Sequence, residues 1–151
     1  MSAGREAVGD IELAALVALD RAVFGDDAWS AWTWREAVTS EHRLVRTEHD
    51  EGGLAGYVVV AILGDVAELE RIAVRDDTRR HGIGRGLLRS AVDESRENGA
   101  DALVLEVRDD NLGARAFYRE NEFYEVSRRP GYYDRGAVDA VILQLTWVRH
   151  D

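Results

Sequence analysis

The segment RRHGIG, residues 79–84, stands between an apolar run, Val66 to Val74, and a stretch in which Ile83, Leu87, Leu88, Ala91 and Val92 recur at helical spacing. That order predicts a strand, a loop and an amphipathic helix. Asn98 and Gly99 supply the helix stop, and the next apolar run, LVLEV at 103–107, is continuous, as in a central strand buried on both faces. A strand, helix and strand joined in this way imply a parallel crossover, which should be right-handed.

Outward from this unit, the chain reads as helices followed by a meander. Asp10 precedes Ile11, Leu13, Leu16, Val17, Leu19 and Val23, a spacing that predicts a helix over about 11–24 with Asp10 as its N-cap. Thr33 and Glu36 have capping-box spacing and predict a second, shorter helix. Strands are expected at 44–47, 56–63 and 66–74, separated by Asp50, Gly52 and Gly53 and then by Gly64 and Asp65. Asn111 opens a further helix with Leu112, Ala116 and Phe117 facing inward, and strands at 124–128 and 137–145 follow. The sum is an α/β chain, an α+β mixed sheet of six to seven mostly antiparallel strands flanked by about four helices, forming a single domain over residues 1–151.

Composition removes several classes. No run approaches the roughly 20 apolar residues of a membrane span, and the first ten residues lack a signal-peptide core, so a cytoplasmic protein is expected. With no cysteine, a disulfide framework, a thiolate metal site and a cysteine nucleophile are excluded. His42, His49, His81 and His150 have no metal-ligand spacing, and no metal is expected. The net charge of −10, with all 19 basic residues being Arg, disfavours direct nucleic-acid binding and favours a basic peptide or an amine. A GC-rich genome and a salt-adapted cytoplasm both account for such a composition.

At residues 79–84, free backbone N–H groups and the helix dipole favour an anion, the glycines admit a phosphate, and Arg79 and Arg80 add complementary charge. The competing reading is that the glycines serve only helix–strand packing. A Walker loop needs a Gly-Lys pair, and the chain has no Lys. The third marked position of a dinucleotide fingerprint holds Leu87 instead of Gly or Ala, which weakens that reading.

The pattern Arg79-Arg80-His81-Gly82-Ile83-Gly84, preceded by ERIAV, resembles the Q/R-x-x-G-x-G/A loop of the GNAT superfamily of N-acetyltransferases. LEVRDDN, AFYRENEF and GYYDRG are similar to motifs of its RimI-type N-terminal acetyltransferases, and the resemblance covers about residues 54–146. Glu122-Phe123 departs from the usual Gly-Phe, and the usual first strand is hard to find. The resemblance implies acetyl-CoA as co-substrate, bound by Arg79, Arg80, His81, Gly82, Ile83 and Gly84 at its pyrophosphate and by backbone groups of Ile72, Ala73 and Val74, with Asn111, along its pantetheine arm. It implies Glu106 as general base and Tyr118 as general acid, the latter also facing the cofactor.

The residues themselves fit those roles. A carboxylate at Glu106 in an otherwise apolar strand needs a reason to be there, either catalysis or an ion pair with Arg108 or Arg71. The phenol of Tyr118, twelve positions on, can protonate a thiolate as it forms. Glu68 and Glu70 share a strand face and are alternative bases or, equally, solvated edge charges. Tyr132, Tyr133, Trp29 and Trp32, in loops, are candidates for the acceptor slot, with packing an equal alternative for the tryptophans. Lacking a thiol nucleophile, the reaction is expected to be direct attack in a ternary complex. An α-amino group, with pKa about 8, needs less help from a carboxylate than a lysine near about 10.4. The acceptor expected is therefore a protein N-terminus, and the resemblance implies a ribosomal protein beginning with Ala. Lysine or small-amine acetylation, a non-catalytic acyl-CoA-binding module and a dinucleotide site stay open, and a monomer or weak dimer is expected.

Overall fold

The computed structural model describes residues 9–76 and 82–147. The helices are α1 (Asp10–Phe24), α2 (Ala31–Thr39), α3 (Ile83–Glu97) and α4 (Leu112–Glu120), and the strands are β1 (Arg43–Asp50), β2 (Gly53–Leu63), β3 (Val66–Val74), β4 (Ala102–Arg108), β5 (Tyr124–Tyr133) and β6 (Val138–Thr146). The six strands form one sheet in the order β1-β2-β3-β4-β6-β5. Every neighbouring pair is antiparallel except β3 and β4, the expected crossover through α3. Among the described residues no strand precedes α1.

Several boundaries differ from the sequence reading. Gly9, not Asp10, occupies the N-cap of α1, and Ile11 is 88% exposed, so the buried stripe starts deeper in the helix, at Leu16 and Leu19. Helix α2 is capped by Ser30, whose side chain accepts from the Thr33 N–H, which moves the start three residues ahead of the Thr33 cap. In α4 the inward side chains are Ala114, Phe117 and Tyr118, whereas Leu112 is 71% exposed and Ala116 is exposed.

Each face of the sheet carries its own core. Val58, Val60, Ala67, Leu69, Leu103, Leu105, Val107, Val141 and Leu143 pack against Leu87, Leu88 and Ala91 of α3 and against Tyr118 and Phe123. On the opposite face Tyr57, Val59 and Ala73 meet Leu16, Leu19, Trp34 and Ala37 of α1 and α2. Gly56 lets α3 approach: a Cβ there would lie 2.9 Å from both the Ala73 carbonyl oxygen and Leu87 Cδ1. The turn after α4 closes without glycine because Glu122 adopts φ 73°, a left-handed conformation costing about 1–2 kcal/mol, while Phe123 beside it is buried.

The second core is organised around a charge. Asp20, fully buried on α1, accepts from the Trp29 backbone N–H (2.7 Å), Trp34 Nε1 (3.2 Å), the Tyr57 hydroxyl and Arg71 Nε (2.6 Å). Arg71 also donates to the Asp27 carbonyl (2.9 Å) and lies 4.0 Å from the Phe24 ring centre. Burial opposes ionisation of Asp20, but the hydrogen bonds from Arg71, Tyr57 and Trp29 outweigh it and hold the carboxyl below its usual value.

Asp20→Ala leaves the Arg71 guanidinium buried without its partner, and a loss of about 3–5 kcal/mol in urea unfolding is expected at neutral pH. Because the folded pKa is depressed, the contribution is present above the unfolded value of 3.8 and is lost as pH falls through the lower folded one. The difference between wild type and variant should therefore shrink below about pH 4.

Candidate active site

The parallel contact between β3 and β4 is short. It comprises Val66↔Ala102, Ala67↔Leu103 and Glu68↔Val104. Beyond it β4 stays with β6 through Arg108↔Ala140, while β3 stays with β2 through Val74↔Gly56. The cause lies in β3: Val59 pairs with Arg71 and Val60 with Leu69, leaving Glu70 as a bulge, and a bulge bends its strand and adds twist. The inner backbone edges from Leu69 to Val74 and from Leu105 to Arg108 thus face each other across a wedge without a ladder. Ile72, Ala73 and Val74 lie on one rim and Glu106 on the other.

Helix α3 begins at the mouth of this wedge. Its N-cap, Gly82, has φ 81° and makes no side-chain cap, and the first turn holds no acidic residue. The first helical hydrogen bond is Gly86 N–H to the Gly82 carbonyl (3.0 Å), so the N–H groups of Ile83, Gly84 and Arg85 have no helical acceptor. Ile83 itself packs against the core. At Gly84 a Cβ would meet Phe117 Cζ at 3.5 Å and Val74 Cγ2 at 3.6 Å, ordinary contact distances. Helix packing therefore demands glycine at Gly56 and not at Gly84, which removes the packing explanation for the second glycine of the loop. Arg79, Arg80 and His81 lie outside the described residues.

Glu106 alternates with the buried Leu105 and Val107, which face α3 and α4, so its carboxylate points to the other side of the sheet. Neither Arg108 nor Arg71 pairs with it. Arg108 forks to Asp110 (2.9 Å) and Asp134 (2.6 Å), tying the loop after β4 to the loop after β5, and Arg71 serves Asp20. The partner of Glu106 is Arg129 on β5, at 3.2 Å. Glu70 is engaged by Arg43 at 2.6 Å. Glu68 makes no ion pair among the described residues, and burial, then the negative fields of Glu70 and Glu106, push its carboxyl up.

Tyr118 sits on the α3/α4 side, 7% exposed, with ring centres 5.2 Å from Phe117 and 5.6 Å from Phe123. Burial alone pushes its phenol up to about 12, and among the described residues its hydroxyl has no hydrogen-bond partner. Glu106 and Tyr118 thus stand on opposite faces of the sheet. Asn111 caps α4 by accepting from the Ala114 N–H (3.1 Å), which leaves its amide N–H2 as a donor.

Tyr132 and Tyr133 meet edge to face at 5.0 Å, with Arg129 over the first ring and Arg108 over the second. Burial, then the field of Glu106, raises the Tyr133 phenol. Trp29 resolves toward packing: its ring lies 5.0 Å from Trp34 and 5.0 Å from the Arg71 guanidinium. Trp32 is 69% exposed. The sequence reading missed Asp20, Arg71 in its role, and Arg129. Asp20 carried a signal, an acid four residues after Leu16 on the buried stripe, whereas Arg129 carried none, being 23 positions from Glu106 and across β6.

Among the described residues no group of three His, Cys, Asp or Glu side chains could hold a metal, and no helix is long and apolar enough to cross a membrane.

A wedge between parallel strands with an uncapped helix start at its mouth fits a chain-like ligand that ends in an anion. The chain belongs to the acetyltransferase (GNAT) family, whose sequence pattern matches residues 11–123. It is 38% identical over 96 residues to the [ribosomal protein bS18]-alanine N-acetyltransferase of Escherichia coli K12, an alignment covering 62% of this chain and 65% of that protein. The chain therefore matches just under two thirds of the length of that curated relative. The N-alpha-acetyltransferase RimI of Mycobacterium tuberculosis is 33% identical over 124 residues, 80% of this chain and 77% of the relative. The crystal structure of the ribosomal-protein-S18-alanine N-acetyltransferase from Escherichia coli superposes with a TM-score of 0.83 at 30% identity, covering 97% of this chain and 94% of that one.

Since the Tyr118 hydroxyl makes no hydrogen bond within the described fold, Tyr118→Phe should leave unfolding free energy within about 0.5 kcal/mol of wild type, against about 1 kcal/mol lost for a typical internal hydrogen bond. Thermal and urea unfolding measure it.

Proposed function

We propose that the chain transfers the acetyl group of acetyl-CoA to the N-terminal α-amino group of a protein, by direct attack in a ternary complex. The observation that carries this reading is the wedge: an extended chain of acceptors and donors fits two unpaired backbone edges, and an anion fits the uncapped start of α3 at their mouth. Ile72, Ala73 and Val74, with the free amide of Asn111, would hold the pantetheine arm. The N–H groups of Ile83 and Gly84, with Gly82 and the side chains of Arg79, Arg80 and His81, would hold the pyrophosphate. Bound there, acetyl-CoA supplies a thioester carbonyl.

Glu106, on the open face of β4, takes a proton from the acceptor's ammonium group, directly or through water, and frees its lone pair. Nitrogen bonds to the carbonyl carbon, the carbon–sulfur bond breaks, Tyr118 donates its proton to the departing sulfur, and the proton left over on the new amide nitrogen passes through water to restore the phenol, while Glu106 later releases its own proton to solvent. A phenol pushed up to about 12 is fully protonated at neutral pH and so is loaded for that step. Glu68, with its raised carboxyl, and Glu70 line the same face; Glu70 is held by Arg43, which leaves Glu106 and Glu68 as the carboxylates open to an amine. Tyr133, within the field of Glu106, and Tyr132 form the aromatic wall of the acceptor slot, and Trp29 steadies it from the far side of the Asp20 cluster.

An N-terminal amine is favoured over lysine because its lower pKa asks less of a carboxylate base. A ribosomal protein starting with Ala is the acceptor suggested by the names of the relatives, and a net charge of −10 suits so basic a partner. Such an acceptor places the reaction in the cytoplasm. All proposed groups come from one chain, so a monomer or weak dimer suffices.

Acetyl-CoA turnover on peptides differing only in their first residue tests the assignment. N-terminal Ala peptides should be acetylated at the α-amine by mass spectrometry, and turnover confined to lysine side chains or free small amines would overturn it. Tyr118→Phe should lower kcat about 100-fold or more, with acetyl-CoA affinity nearly unchanged. Unchanged turnover would remove Tyr118 from the mechanism.

Gly84→Ala discriminates the phosphate role from a packing role. The added methyl meets only ordinary contacts in the fold, so stability should hold or rise by up to about 1 kcal/mol, as for Gly to Ala inside a helix. Acetyl-CoA affinity by calorimetry should fall at least about tenfold, because the methyl occupies the approach of the pyrophosphate.

A further inference from the structure

Arg129 is the cation on the acceptor side that the fold holds most loosely. Its contact with Glu106 is a single approach of 3.2 Å without hydrogen-bond geometry, and its side chain is 57% exposed. Arg43, by contrast, binds Glu70 through Nε at 2.6 Å and Nη2 at 3.3 Å, and Arg108 grips two aspartates with four hydrogen bonds. Around Glu106 stand its ion-pair partner Arg129 and, coupled to it through their fields, Glu68 from β3 and Tyr133 from β5, while Glu70 is held by Arg43. With Arg43 spent on Glu70, Arg129 is the guanidinium that offsets Glu106 and Glu68 together.

Resting on the N-acetyltransferase reading above, we propose that Arg129 is a positioning residue that occupies, in the free protein, the cation position at Glu106 taken by the acceptor's ammonium group on binding. The exchange keeps local charge constant: one guanidinium leaves and one ammonium arrives. Tyr132, whose ring centre lies 5.3 Å from the Arg129 guanidinium carbon, already holds the side chain over its face and keeps it at the slot when the ammonium takes Glu106. The plug has a consequence for selectivity. An uncharged acceptor cannot replace it without leaving Glu106 and Glu68 uncompensated, so the site selects acceptors that arrive as cations.

The test is Arg129→Gln, with Arg129→Lys as the charge-conserving control; both lie at an exposed position and should fold as wild type by thermal unfolding. Arg129→Gln should lower the KM of an Ala-starting peptide about threefold to tenfold with the KM of acetyl-CoA unchanged. Arg129→Lys, which keeps the charge, should hold the peptide KM near its wild-type value. A peptide KM of Arg129→Gln that rises, or that stays at its wild-type value, overturns the proposal.

A readout independent of turnover separates this from the functional reading. Calorimetric titration should show Arg129→Gln binding the amino-terminal peptide more tightly than wild type and its desamino analogue no more tightly. Equal gains for both peptides, or none, overturn the plug. A wild-type chain that binds the peptide yet acetylates no amine overturns the functional reading alone.

Discussion

The bulge at Glu70 sets the geometry on which the site depends. Without the extra residue β3 would run on beside β4, and a parallel ladder from Val66 to Val74 would close the sheet. With it, β3 turns away after Glu68, and two strands that share one sheet present open edges to each other. Unpaired backbone groups inside a fold are costly unless something bonds them, so a wedge of this kind is stable only where solvent or a chain-like ligand can enter. The same bulge puts Arg71 in phase with Asp20, one face away from Leu69.

That coupling explains why a buried charge is retained in so small a domain. Asp20 joins α1, the segment before α2, β2 and β3 through one carboxylate, and Arg71 stacks on Phe24 and Trp29 while bonding the Asp27 carbonyl. An apolar replacement could fill the same volume, but it would not fix the direction of the loop at 25–30. The cluster anchors that loop to the strand that forms one rim of the wedge.

Local rules made much of this legible. The period of Ile83, Leu87, Leu88 and Ala91, the stop at Asn98-Gly99 and the unbroken LVLEV run sufficed for α3, β4 and their parallel connection, because each is determined by residues a few positions apart. The caps were harder: Thr33 and Ser30 both satisfy local chemistry, and Ser30 starts the helix, with Trp34 then packed edge to face on Tyr57 at 4.9 Å. Leu112 looked inward because α4 was phased from its first residue, whereas the buried face is set by Tyr118 and the turn at Glu122. Partners across the sheet were out of reach. Asp20 finds Tyr57 and Arg71 37 and 51 positions away, and Glu106 finds Arg129 by way of a strand that arrives later in the chain.

Charge follows the same division of labour. A chain with net charge −10 should repel an anionic ligand, yet the start of α3 carries no acid, and Arg85 and Arg89 on that helix make no ion pair among the described residues. On the opposite face of the sheet the arginines are spoken for: Arg43 by Glu70, Arg71 by Asp20, Arg108 by Asp110 and Asp134. The negative excess is thereby expressed around Glu68 and Glu106, while the positive potential of α3 is left uncancelled. Within a Debye length of about 8 Å at physiological salt, each end of the wedge is governed by its own neighbours more than by the net charge. An acidic domain can therefore carry an electropositive helix start at one mouth of the wedge and a negative field at the other, each set by its own neighbours.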